Sequence, residues 1–199
     1  MAFKLVEGIS VENLTGIKSA YSVDNNGIYA EISGEKIYPL ICDLIKKLDE
    51  PVFFFLEYPC DEMKEKELRQ SKDSPFHYDL YYLDNCTIPV ALAIMKRYGQ
   101  ILINDGLSRF GFGAHKTGEE IYCMKYQTIS IYGDIKKFEK TFEKNKISKE
   151  LNVKTLWDNF TDDKPGISSA VEVNGENVYT IIENLKTEGI YLADTIEEN

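Results

Sequence analysis

Two segments of this chain, 141 residues apart, carry the same pattern, and that pattern constrains the fold more than any other feature. Glu31, Gly34, Glu35, Tyr38, Ile41 and Leu44 match Glu172, Gly175, Glu176, Tyr179, Ile182 and Leu185. Alternation in 28–32 and 170–173 predicts a half-buried strand in each copy, and Ser33-Gly34 or Asn174-Gly175 supplies the positive φ of a tight turn. A helix follows. Ile37, Ile41, Leu44, Ile45 and Leu48 in the first copy, and Val178, Ile181, Ile182 and Leu185 in the second, recur at three-to-four spacing and make one apolar stripe. Each helix leads into another strand, at 52–58 and 190–193. Residues 28–58 and 170–194 are therefore expected to be similar strand-turn-helix units near both ends of a single α+β domain spanning 1–199, whether by duplication or by recurrence of a common pattern.

Between them, 77–83 alternates as a strand, and Thr87 caps a helix bounded by Pro89 and Gly99. That helix is apolar nearly all round, so it is expected to be buried on more than one side. Residues 100–104 and 108–115 flank Asp105-Gly106, a strong hairpin signal, and 120–132 reads as one long strand after the Lys116-Thr117-Gly118 turn. Ile135, Phe138 and Phe142 give 134–144 the spacing of an amphipathic helix. The charge-alternating 61–74 reads as a short solvated helix or loop. In 145–166, Trp157 is expected to pack down as a plug with Leu156 and Phe160. Hairpins interrupted by helices predict a largely antiparallel sheet with helices packed on it.

A chain of 199 residues, 43% hydrophobic, buries enough surface to need neither disulfide nor metal. Cys42, Cys60, Cys86 and Cys123 are spaced 18, 26 and 37 residues apart and form no C-x-x-C pair, so they read as reduced, mostly buried thiols. Glu7 interrupts the first residues where a secretory signal needs a continuous apolar stretch. The longest apolar runs, 52–56 and 90–95, fall far short of the roughly 20 residues that span a bilayer. A cytoplasmic protein without membrane contact is expected. With 23 Lys and Arg against 33 Asp and Glu, the net charge of −10 opposes nucleic acid and favours a basic partner.

Catalytic motifs are sparse. His77 and Asp79 share a strand face at i, i+2, and His115 follows the Asp105 hairpin, so these four residues are the one neighbourhood in which a small enzyme or ligand-binding domain could assemble a metal or acid–base site. Against it, the sequence lacks H-x-E, H-x-x-x-H and G-x-S-x-G, and a thiol nucleophile built from Cys86 or Cys123 with His115 has no supporting motif. Gly111-Phe112-Gly113 with Lys116-Thr117-Gly118 does not make a phosphate loop, because its glycines lie in a strand pattern. Those glycines instead permit close backbone approach. No catalytic residue, metal or cofactor is assigned. An oligomeric scaffold joined through a sheet edge or the 134–144 helix is a further alternative.

Tyr78, Tyr82 and Tyr122 lie in the central strands beside Asp79, Asp84, Asp105, Glu119 and Glu120, and together these make the candidate partner-binding set, aromatic anchors among carboxylates. With the strand Val52-Phe-Phe-Phe-Leu-Glu57 and the hairpin Ile103-Asn-Asp-Gly-Leu-Ser-Arg-Phe-Gly-Phe-Gly113, the chain resembles in type the immunity proteins that neutralise bacterial polymorphic or contact-dependent toxins. The resemblance implies a stoichiometric inhibitor of a toxin domain, presenting acidic and aromatic side chains on its binding face.

Overall fold

The computed structural model describes residues 2–24, 27–71 and 73–198; Met1, at the start of the segment read for a secretory signal, and Lys72, within the charged segment, lie outside them. In chain order the elements are β1 (Ile9–Ser10), β2 (Ala20–Val23), β3 (Ile28–Glu31), α1 (Gly34–Ile45), β4 (Val52–Pro59), α2 (Glu62–Leu68), β5 (His77–Cys86) and α3 (Ile88–Asn104). They continue as β6 (Arg109–Ala114), β7 (Glu119–Cys123), β8 (Thr128–Tyr132), α4 (Ile135–Lys144), β9 (Ser148–Lys149), β10 (Ile167–Ser168), α5 (Val178–Leu185) and β11 (Tyr191–Glu197). The α+β class is as expected. No helix among the described residues is long and apolar enough to cross a membrane.

Nine strands form one sheet in the order β11-β5-β4-β6-β7-β8-β3-β2-β9, and β1 pairs with β10 separately. The sheet is mixed, not the largely antiparallel one expected, because β9 runs parallel to β2 while the other neighbours are antiparallel. A parallel pairing needs a crossover, and α4 provides the return path on which β9 is laid beside β2.

Strand register sorts the side chains onto two faces. Leu83, Phe54, Phe112, Ile121, Ile131 and Ile28 stand opposite one another across six strands, and all belong to the main hydrophobic core. The buried apolar side chains of α1, α3, α4 and α5 join that same core. α2 is tied to this side by Lys64, which pairs with Asp79. The helices therefore cover one face of the sheet.

Three local expectations are corrected. Gly99 does not end α3, which runs on to Asn104, because Ile101 and Leu102 extend the buried stripe of Ala91, Ile94, Met95 and Tyr98. At Gly99 an added Cβ would lie 3.0 Å from the Tyr38 ring, so glycine lets α1 and α3 approach closely. Asp105-Gly106 consequently closes a helix and opens no hairpin: Asp105 accepts from the Leu107, Ser108 and Val171 amides. The expected strand 120–132 is two, β7 and β8, folded back where Tyr126 and Gln127 take positive φ of 54° and 62°.

The two similar segments do not share a geometry throughout. Ile37, Ile41 and Leu44 of α1 and Val178, Ile182 and Leu185 of α5 are buried alike, and Tyr38 and Tyr179 are similarly exposed. Gly34, however, is the first residue of its helix, whereas Asn174 and Gly175 form a left-handed turn, φ 53° and 80°, closed by the Val173 and Glu176 bridge. The helix of the second segment begins only at Val178, and the strand before it is β10, Ile167–Ser168, which ends short of the expected 170–173 and pairs with β1 outside the main sheet. In 145–166, Leu156 is the plug, fully buried, while Trp157 stays half exposed with its ring against Tyr126 and Phe160.

Candidate interaction face

The second face of the sheet is built from the alternate residues of the same strands. Phe53 stands opposite Gly113, Phe55 opposite Gly111 and Tyr82, and Glu57 opposite Arg109 and Leu80. Tyr122 and Glu120 continue these rows on β7. The two glycines explain how the rings lie: a Cβ on Gly111 would come within 2.4 Å of the Phe55 ring, and one on Gly113 within 2.3 Å of the Phe53 ring. Both phenyl groups therefore lie across β6 backbone that carries no side chain.

A layer of aromatic rings results. Phe53 packs on Phe55, Tyr82 and His115 at centroid distances of 6.2, 5.4 and 4.3 Å, and Phe55 packs on Tyr82 and Tyr122 at 5.8 and 5.3 Å. Phe53, Phe55 and Tyr78 are buried, yet they stand outside the main core. Their cover comes from neighbouring rings and long polar side chains, in place of a helix.

Carboxylates are threaded through this layer. The Tyr122 hydroxyl donates to Glu57 at 2.7 Å, with Arg109 3.6 Å away, yet burial still pushes the Glu57 carboxyl above its usual range. Burial, with the Glu57 charge nearby, also pushes Glu120 up. Asp84 has the opposite environment: the Tyr191 hydroxyl donates to it at 2.6 Å and His115 Nε2 lies 3.0 Å away, which holds its carboxyl below the ordinary range.

Of the residues assigned to partner binding from the sequence, Tyr78, Tyr82, Tyr122, Asp84 and Glu120 meet on this face. The other three do not. Asp79 faces the helix side, buried, accepting from Thr195 and Cys60 and paired with Lys64. Asp105 is buried at the end of α3. Glu119 is 3% exposed and accepts from Lys137 of α4, at 2.7 and 2.8 Å, and from the Thr117 hydroxyl at 3.0 Å. All three carboxylates are satisfied internally, as buried charges must be. Phe53, Phe55, Glu57 and Arg109 belong to the face but were not in the assigned binding set, although the segments that hold them carried the resemblance; the signal that finds them is the alternation of Phe53, Phe55 and Glu57 with the core residues Phe54 and Leu56, beside a strand that alternates glycine.

The alternative neighbourhood does not assemble. His77 Nδ1 sits 3.3 Å from Glu65, Asp79 is engaged by Lys64, Asp105 caps a loop, and His115 stacks on the opposite side of the sheet. Among the described residues no three His, Cys, Asp or Glu side chains group to hold a metal. The four cysteines are free, Cys86 and Cys123 buried and Cys42 and Cys60 partly so. Compared with protein-family models, curated proteins and solved structures, the chain matches none.

Proposed function

We propose that this chain is a binding protein of the immunity type, acting in the cytoplasm, that neutralises a basic toxin domain by stoichiometric association through the aromatic face of its sheet. The observation that carries this reading is the layer of Phe53, Phe55, Tyr82 and Tyr122, interleaved with Asp84, Glu57 and Glu120, on the sheet face that the core helices leave uncovered. Tyr is among the residues enriched at interface hot spots, and the carboxylates beside it add charge complementarity to a basic partner. A toxin domain that holds nucleic acid presents cations, and an inhibitor charged at −10 replaces the phosphates with carboxylates. Tyr82 and Tyr122 supply the holding contacts, and Asp84 and Glu120 the complementary charge.

The test is isolation of the native partner with the wild-type protein and with a Tyr82→Ala/Glu120→Gln variant whose fold is verified by circular dichroism. A basic partner that binds the wild type and is bound at least ~30-fold more weakly by the variant supports the reading, about 2 kcal/mol being typical of one hot-spot residue. An acidic partner, or a basic one held equally by both proteins, refutes it.

A further inference from the structure

At one end of the aromatic face lies a cavity of about 350 Å³ whose lining includes Arg109, Lys125, Thr128, Thr155, Trp157 and Glu198. From it we infer a second site, independent of the partner reading: the chain binds a small molecule that joins one anionic group to a flat ring, with Arg109 and Lys125 receiving the anion and Trp157 the ring.

The two cations are brought together by one aromatic ring. Tyr78, buried beneath, carries the Arg109 guanidinium 4.5 Å and the Lys125 ammonium 5.1 Å from its centroid. Packing two cations side by side is unfavourable unless an anion bridges them, and Glu198 does so, paired with Lys125 and 3.7 Å from Arg109. Arg109 is nonetheless poorly satisfied. Its side chain is 11% exposed, its polar contacts are 3.4 Å to the Tyr122 hydroxyl, 3.6 Å to Glu57 and 3.7 Å to Glu198, and Nε has no partner among the described residues. A guanidinium normally makes short paired bonds to an oxyanion. The looseness is that of a group whose ligand is replaced by an approximate substitute, the carboxylate of Glu198.

The rest of the cavity says what carries the anion. The two threonine hydroxyls already donate inside the protein, Thr128 to Glu31 and Thr155 to Asp158, so they add little recognition. Trp157, half exposed, is the flat apolar surface open to a ligand, with Met124 the other apolar side chain of the lining. A planar ring on the indole contributes roughly 1–3 kcal/mol in comparable stacked sites. The volume lies within the range of small-molecule sites, roughly 300–1,000 Å³. The overall charge of −10 opposes a polyanion but leaves room for one anionic group at a local cation pair.

Trp157 is the sole tryptophan in the chain, so its emission reports on this cavity alone. Adenosine monophosphate, benzoate, adenosine and inorganic phosphate are titrated into the full chain at low ionic strength. A saturable change with adenosine monophosphate or benzoate, about tenfold weaker in Lys125→Met and several-fold tighter in Glu198→Gln, supports the site; which of the two binds separates phosphate from carboxylate. Adenosine and phosphate alone are each expected to bind at least about tenfold more weakly than the joined molecule. Glu198→Gln keeps a polar side chain of the same shape at a position that is 28% exposed, and with its fold checked by circular dichroism it remains informative if Lys125→Met does not fold. No saturable response to either ringed anion in wild type and Glu198→Gln overturns the inference, as does a response indifferent to both substitutions or matched by phosphate alone.

Discussion

A fully buried carboxyl group, Glu31, sits on β3 beneath the segment that carries Leu156. Burial pushes it from 4.5 up to about 8, against the opposing bonds from the Leu156 amide and the Thr128 hydroxyl, and its Oε1 has no partner among the described residues. At neutral pH the folded protein keeps this proton, while the unfolded chain releases it above its ordinary value. The folded state thus binds more protons between those two pH values, and its stability falls as pH rises from about 4.5 to about 8. The contribution is complete below 4.5 and lost above 8. Its size is on the order of 5 kcal/mol over that window. Glu31→Gln, which cannot ionise, is expected to remove most of this slope; denaturant unfolding at pH 5 and pH 8 checks it, and equal slopes in the two proteins would show that Glu31 is not the titrating group.

At the scale of elements, β6 is specified by what it lacks. Gly111 lies under Phe55 with a further obstacle in the Ile121 carbonyl, 2.3 Å from a would-be Cβ, so neither ring nor backbone has room for alanine. Gly111→Ala is expected to destabilise the protein by about 3 kcal/mol, at the upper end of overpacking costs, read as a lower urea midpoint at unchanged m. An unshifted midpoint would mean that the ring and strand separate freely. This strand also marks how far the sequence could be read. Alternation and three-to-four spacing predicted β3, α1, β5 and α4, because one face of each is more apolar than the other, while β4 was legible as a continuous apolar run, buried on both faces. They could not say where α3 stops, since Gly99 is chosen for contact with Tyr38, a residue 61 positions away in the chain. Nor could they separate Asp84 and Glu120 from Asp79 and Glu119, because neighbouring strand residues point to opposite faces and only the pairing register reveals which face the helices take.

For the molecule as a whole, the proposed binding role divides the work of association between charge and rings. Electrostatic steering acts on the encounter and is screened beyond about 8–10 Å at physiological salt, whereas ring packing governs departure. Raising salt is therefore expected to slow association with the partner much more than it speeds dissociation, and Asp84→Asn/Glu120→Gln to reproduce that slowing at low salt; surface plasmon resonance separates the two rates. An association rate indifferent to salt would remove charge from the account. The sheet order carries one more consequence, for synthesis. β5 is translated long before β11, the strand that pairs with it from Tyr82–Tyr191 to His77–Glu197. Through that interval the nascent chain holds a tyrosine-rich strand with one side unpaired, an edge open to intermolecular pairing until β11 emerges.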